Sequence, residues 1–455
     1  MSLETPSKIR TLQRKLYRKA KDESNYRFYL LYDKIYREDI LAHAYDLAKA
    51  NQGAPGVDGQ TFAGIEFWGR EKWLAKLRDE LRTRSYQPQP VRRVMIPKPG
   101  GGQRPLGIPT IRDRVVQTAA KLVLEPIFEA DLEPNAYGYR PKRAALDAIR
   151  KVHELLHAGY TDVVDADLSK YFDTIPHREL MQSVARRIVD RDLLRLIKAW
   201  LKVPVEERDE KGNRRLTGGA SNTCGTPQGG IVSPLLANLY MNRFLKYWRI
   251  TERGKVFQAQ VVNYADDFVI LTRQHAGEAR DWTRKAMTRL GLTLNDTKTK
   301  LKEARTESFD FLGYTFGPHR AWKDGRRYLG ASPSNKSVAR LRQKVSNILI
   351  PSNTGPWPEV RDRLNRILNG WSNYFSYGTR ARAYRAVDHH VADRVRAFLR
   401  RRRQTSGRGT RLLADQIIFG PLGVHRLTTV RGARPGARSE FCRRAGCSKW
   451  AWPVR

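Results

Sequence analysis

The chain has 455 residues, 40% hydrophobic and 10% aromatic, which is enough for two or three cored domains and excludes wholesale disorder. Its 85 Lys and Arg against 46 Asp and Glu leave a formal charge of +39, an excess that points to nucleic acid before an anionic membrane. No apolar run reaches spanning length and Met1-Ser2-Leu3-Glu4 opens no signal-peptide pattern, so no membrane partner is expected. The three cysteines, Cys224, Cys442 and Cys447, fit a reducing compartment without a disulfide framework, and Cys442 and Cys447 read as two unpaired tail thiols.

In chain order, residues 8–21 mix Arg and Lys with Leu, Ile and Tyr at helical spacing, and 26–50 continue it. Residues 51–59 break that pattern with Gly53, Pro55, Gly56 and Gly59 and read as a loop. A helix over 71–83 ends before Pro88 and Pro90. Residues 91–97 and 105–109 read as strands joined by a Gly-rich turn over 98–104, hence a hairpin. Helices are expected over 113–128 and 141–157, then a strand over 160–168 with an apolar body and an acidic end. Residues 178–201 read as a helical stretch, and 225–230 as a loop that opens a helix over 233–247. Two β-rich runs, 258–263 and 268–272, flank Tyr264-Ala265-Asp266-Asp267. A helix over 277–290 and a strand over 309–316 follow. Beyond Gly330 the pattern turns helical, over 338–349, 359–377 and 384–403, and a domain boundary is placed there. Past Arg403 the chain is Arg- and Gly-rich, and disorder is expected at its end.

Joining nucleotides requires in-line attack of a 3′-hydroxyl on an α-phosphate, which two Mg²⁺ ions roughly 4 Å apart can assist. Mg²⁺ takes hard oxygen ligands, so carboxylates must converge. Two acidic clusters sit at strand ends: Asp165-Ala166-Asp167 and Asp266-Asp267. Adjacent acids in the turn of an apolar hairpin are costly unless a cation binds; otherwise they are a plain acidic turn. Strand alternation puts Asp165 and Asp167 on one face and does not choose between them. Asp173 is a third candidate, alternatively a helix N-cap before Pro176.

Asp167-Leu168-Ser169-Lys170-Tyr171-Phe172-Asp173 resembles the first carboxylate motif of reverse transcriptases, and Tyr264-Ala265-Asp266-Asp267 is similar to their Tyr-x-Asp-Asp. Thr226-Pro227-Gln228-Gly229-Gly230 with Ser233-Pro234-Leu235 matches the motif between, in order and spacing. Ile96-Pro97-Lys98-Pro99-Gly100, Arg104 to Pro109, Tyr137-Gly138-Tyr139-Arg140-Pro141, Phe311-Leu312-Gly313-Tyr314 and Gly370-Trp371 narrow the resemblance to bacterial group II intron-encoded reverse transcriptase–maturases, over about residues 25 to 420.

That resemblance implies an α+β right-hand polymerase, with fingers and palm on antiparallel sheet, followed by an α-helical thumb or maturase domain. The expected divisions are a basic helical extension over 1–50, fingers and palm over 51–330, thumb over 331–420 and a basic tail over 421–455. Asp167, Asp266 and Asp267 become the catalytic metal ligands for two Mg²⁺ ions, with a main-chain carbonyl at Asp167–Leu168 helping and Asp165 as a negative neighbour. Lys98, Arg104, Phe172, Gln228 and Lys298 are implied at the nucleotide. Lys98 and Arg104 clamp the triphosphate, Phe172 selects deoxyribose by steric clash with a 2′-hydroxyl, and Lys298 is placed to protonate pyrophosphate. Phe311, Leu312 and Gly313 resemble the primer grip. Arg380, Arg382, Arg385, Arg400 and Arg401, interleaved with Tyr374, Tyr377 and Tyr384, suit contact with RNA. The implied partners are group II intron RNA, a DNA target and primer, and deoxynucleoside triphosphates, in the bacterial cytoplasm and at the nucleoid when bound to DNA. The paired cysteines and histidines of an HNH-type endonuclease are not found, so second-strand cutting is not expected. The same motifs are compatible with a splicing cofactor whose polymerase is unused, or a domesticated enzyme of defence or repair.

Overall fold

The computed structural model describes residues 3–97, 102–208, 213–227, 229–321, 324–403 and 413–428. They form two compact units, the first from the described residues within Met1–Leu312 and Phe316–Leu329, the second from those within Gly313–Thr315 and Gly330–Arg455.

The first unit is organised on the helix Ile111–Glu129, which buries Val115, Val116, Ala119, Ala120, Val123, Leu124 and Phe128 together with the polar Asp113, Arg114, Gln117 and Thr118. Thr110 caps it by accepting the Asp113 N–H at 3.1 Å. The basic helix Ser7–Asp22 turns Ile9, Leu16 and Ala20 into the same core, so the N-terminal segment is part of this unit rather than an appendage. The continuous helix expected over 26–50 is interrupted. Phe28 exchanges main-chain bonds with Arg187 and Val189 at 2.7 and 2.8 Å, and helices resume at Tyr32–Ile35 and Glu38–Ala50. The carboxylate of Asp190 forces this break: it accepts the N–H groups of Leu31 and Tyr32, and those of Asp192 and Leu193. It thereby also divides the stretch 178–201 into His177–Ala185 and Arg191–Leu201.

The strands are β1 (Val91–Pro97), β2 (Gln103–Ile108), β3 (Asp162–Asp167), β4 (Pro204–Arg208), β5 (Arg214–Gly218), β6 (Ala259–Tyr264), β7 (Asp267–Thr272), β8 (Lys300–Glu303), β9 (Phe309–Phe311), β10 (Tyr314–Arg320) and β11 (Arg327–Pro333). They build three sheets in the orders β2-β1-β4-β5, β6-β7-β3-β8 and β11-β10-β9. The hairpin β4–β5 escapes sequence reading because its short strands, β5 at the sheet edge, are charged rather than alternating. The single strand expected over 309–316 is two strands, split where Leu312 (φ 49°) and Gly313 (φ 80°) adopt positive φ. The helix expected from 141 begins at Ala145.

In the second sheet the pleat sorts residues by face. Val164 and Ala166 pair with Ile270 and Phe268 and join the core, where Phe244 of the helix Ser233–Ile250 lies 5.6 Å from the Phe268 ring. Asp165 and Asp167 therefore take the opposite face.

The second unit is helical: Asn335–Ile348, Trp357–Tyr374, Ala381–Arg403 and Asp415–Phe419. Leu341, Val345, Leu364, Leu368, Val387, Val391, Val395 and Leu399 form its core. Leu422, Val424 and Leu427 join it, and Asp388 accepts the Leu427 and Thr428 N–H groups at 2.9 Å, so residues 421–428 belong to this core and not to a tail. Cys442 and Cys447 lie outside the described residues. Among those residues no helix is long and apolar enough to cross a membrane.

Candidate active site

β6 and β7 pair Tyr264 with Asp267, leaving Ala265 and Asp266 as a two-residue turn. The acidic pair is thus not the turn itself: Asp266 is in it, and Asp267 is the first residue of β7. Ala265 takes φ 61°, uncommon for a residue with a Cβ. Buried Asn263 holds it there, donating Nδ2–H to the Ala265 carbonyl at 2.8 Å. Gly138 presses on the turn from outside. A Cβ at Gly138 would lie 2.4 Å from the Ala265 nitrogen, and the neighbouring Tyr137 N–H donates to the Asn263 carbonyl at 2.8 Å.

Asp167 ends β3 directly opposite Asp267, while Asp165 faces Val269 on one side and Lys300 on the other. The Asp167 main chain is held by β8 and its approach: its carbonyl accepts Asn295 N–H at 2.8 Å, and its N–H points to Thr299 Oγ1 at 3.4 Å. Lys298 Nζ stands 3.3 Å from Asp167 Oδ2.

Burial pushes the Asp266 carboxyl upward, with the Asp167 charge adding to it and the Arg104 guanidinium opposing. Asp267 is driven to about 7, first by burial, then by the charges of Asp165, Asp266 and Asp167, against the Leu312 N–H that holds it down. A cluster in which acids repel one another this strongly accepts a hard cation. Among the described residues no three or more His, Cys, Asp or Glu side chains form a ready metal cage. This donor set fits Mg²⁺, which keeps water and substrate phosphates as ligands beside one or two carboxylates.

Comparison with known proteins decides the family. Residues 96–316 match the model described as reverse transcriptase (RNA-dependent DNA polymerase), and 338–414 match the group II intron, maturase-specific domain. Protein YkfC of Escherichia coli (strain K12) is 35% identical over 372 residues, covering 72% of this chain and 93% of YkfC. The chain belongs to the group II intron-type reverse transcriptases. The group II intron-encoded protein LtrA of Lactococcus lactis subsp. cremoris is 34% identical over 223 residues, 48% of this chain and 35% of LtrA. The chain therefore spans about a third of LtrA and nearly all of YkfC. Members of this reverse transcriptase family use divalent metal ions, and the maturase domain marks a protein that binds intron RNA.

Within this reverse transcriptase, Arg104 lies on β2 across from Ile96, close enough for its charge to act on Asp266. Lys98 and Gln228 lie outside the described residues. The loop that carries Gln228 is fixed on both sides of it: Thr226 N–H donates to the Phe172 carbonyl at 2.7 Å, and Ile231 N–H to Gln117 Oε1 at 2.8 Å. Gly229, at φ 109°, approaches so closely that a Cβ would stand 2.0 Å from the Gly107 carbonyl oxygen of β2. Phe172 is half-buried against the core, 5.7 Å from the Tyr171 ring. Leu168 is buried and bridges to Leu294.

Phe311 is buried, and Gly313 presents its carbonyl to Ser334 N–H at 2.9 Å and Ser337 Oγ at 3.0 Å. Arg380, Arg382, Arg385 and Arg401 are exposed, Arg400 is half-buried, and the Arg380 guanidinium lies over the Tyr384 ring at 5.5 Å. Sequence reasoning gave no role to Asn263, Gly138, Asn295 or Thr299. Only Gly138 left a signal, as the glycine of Tyr137-Gly138-Tyr139; the others act through contacts that no spacing encodes.

Proposed function

We propose that this intron-type reverse transcriptase uses Asp167, Asp266 and Asp267 to hold two Mg²⁺ ions, with the main-chain carbonyl at Leu168 as a further ligand. The observation that carries the reading is Asp167 facing Asp267 across one ladder, with Asp266 in the adjoining turn. The chemistry supplied there by bound Mg²⁺ is activation of the primer 3′-hydroxyl and neutralisation of the leaving oxygen.

The chain's own groups then have separate tasks. Arg104, with Lys98 on the same hairpin, neutralises the triphosphate of an incoming deoxynucleotide. Phe172 packs under the sugar and excludes a 2′-hydroxyl. The Gly229 main chain lies beside the template–nucleotide pair. Lys298 holds a proton at Nζ for the departing pyrophosphate. Phe311, Leu312 and Gly313 support the primer strand. Arg380, Arg382, Arg385, Arg400 and Arg401 bind intron RNA in support of splicing, after which the polymerase copies that RNA from a primer at the DNA target. The work is done in the bacterial cytoplasm, at the nucleoid once DNA is bound.

Primer extension on an RNA template, with Mg²⁺ and deoxynucleotides, tests the reading. Asp266→Ala abolishes extension while leaving splicing of the intron RNA intact. Undiminished synthesis by that variant would overturn the assignment.

A further inference from the structure

The first unit carries an unassigned cationic cavity on the side of its carboxylate sheet away from Asp167 and Asp267. The helix Ser233–Ile250 backs that sheet with Tyr240, Phe244 and Trp248, all buried and four residues apart. Arg243 and Lys246 leave the helix on another face. They line a cavity of about 450 Å³ together with Arg27, Asp131, Arg186 and Arg187. A second cavity of about 420 Å³ shares Arg186, Arg243 and Lys246 and adds Tyr247 and Ile250.

Five cations and one carboxylate meet in the first cavity, and that carboxylate is already engaged: Asp131 Oδ2 is 3.3 Å from Arg187 Nε. Beyond that ion pair, the bonds that fix the walls go to neutral acceptors, so they leave the remaining positive charge standing. Arg187 donates to the carbonyls of Ala20, Glu23 and Ser24, Arg243 to the Glu179 carbonyl at 2.9 Å, and Arg27 to the Ala185 carbonyl at 3.2 Å. Lys246 is half-buried, and burial disfavours its charge; Asp131 favours that charge, and Arg186 opposes it. Like charges held this close on a rigid wall call for an anion.

We propose that the two cavities form a second nucleic-acid groove, which takes the phosphates of an RNA strand lying outside the polymerase centre. The inference rests on the RNA-binding reading of the chain but not on the catalytic assignment. An RNA strand suits the site better than a small polyanion because the cavities run together through shared cations. The second adds the Tyr247 ring and an Ile250 side chain that is 68% exposed, a surface for ribose and base.

The test loads the full chain with excess short RNA–DNA template–primer, so that the polymerase centre is filled, and titrates a labelled RNA hairpin at several salt concentrations. Arg186→Gln/Lys246→Gln weakens hairpin binding about tenfold and lowers the salt slope by about two. Extension of the short template–primer stays at the wild-type rate, and Arg186→Glu/Lys246→Glu weakens hairpin binding further. Unchanged affinity and slope in both variants would overturn the groove, as would parallel loss of short-template extension. Amine-reactive labelling of Lys246 gives an independent readout. Protection by the hairpin supports the proposal; protection by tripolyphosphate and not by the hairpin overturns it in favour of a small-anion site.

Discussion

Asp167 and Asp267 stand directly opposite each other across the β3–β7 ladder. In a sheet otherwise paired by Val163, Val164, Ile270 and Leu271, two facing carboxylates destabilise the fold. Replacing one removes repulsion and, under the proposed metal role, metal affinity with it. Asp267→Asn is expected to raise the thermal stability of the metal-free protein by about 1 kcal/mol while lowering extension by about a thousandfold. Calorimetry beside single-turnover extension checks both. A less stable Asp267→Asn protein would mean that the carboxylate is structurally satisfied as it stands.

Gly138 contacts no expected substrate, yet a Cβ there would meet the backbone of Ala265 at 2.4 Å and of Tyr264 at 2.9 Å. Neither obstacle is a side chain that can swing away, so the turn carrying Asp266 must shift. Gly138→Ala is expected to reduce extension by about 10- to 100-fold, in line with the sensitivity of catalysis to misplacement of about 1 Å. The Mg²⁺ concentration for half-maximal rate rises with it. An unchanged Mg²⁺ dependence would show that the turn absorbs the methyl group without moving Asp266.

Phe172 offers a test of sugar selection. Its ring packs against the core while its carbonyl accepts the Thr226 N–H, so its main chain is fixed while the side chain can be trimmed. Phe172→Val is expected to raise the ribonucleotide-to-deoxynucleotide incorporation ratio by about a hundredfold, a steric discrimination of about 1–3 kcal/mol. Equal ratios in variant and wild type would return Phe172 to a packing role.

How much of this was legible in the sequence depended on whether a feature is local. The hairpin of β6 and β7 announces itself because apolar runs flank an acidic pair, and the carboxylate end of β3 because its body is apolar. What stayed hidden depends on distant partners. Asp190 ends the helical reading at 26–31 from 159 residues away in sequence, and nothing around Leu31 signals it. Asp165 and Asp167 share a face by periodicity; what distinguishes them is register, since only Asp167 falls opposite Asp267. The β4–β5 hairpin and the 421–428 segment were missed because short charged strands and isolated apolar residues lack a period.

The second unit's basic helix should act through phosphate contacts alone. Arg382 and Arg385 are exposed, three residues apart on Ala381–Arg403. Arg382→Gln/Arg385→Gln is expected to weaken intron RNA binding and lower the salt slope by about two, with melting temperature unchanged. Filter binding across a salt series reads both. An unchanged slope would make these side chains a solvated helix face.

Tyr86 and Asp113 give a stability prediction whose sign follows from burial. Asp113 is buried and accepts Tyr86 OH at 2.6 Å, Thr110 Oγ1 at 2.7 Å and Gln89 N–H at 3.2 Å, tying the entry to β1 onto the central helix. Burial still outweighs these donors and raises the Asp113 carboxyl above its ordinary value. The folded state therefore holds this proton at pH values where the unfolded chain has released it, so stability from this group is full below the ordinary Asp range. It is lost as pH rises through the raised value. Tyr86→Phe removes one donor from the ionised form and is expected to cost about 1–3 kcal/mol once Asp113 is charged. The penalty shrinks in acid, where the protonated carboxyl needs fewer donors. Melting curves of both proteins from acid to neutral pH should diverge as pH rises; a constant difference would mean that the phenol acts through packing alone.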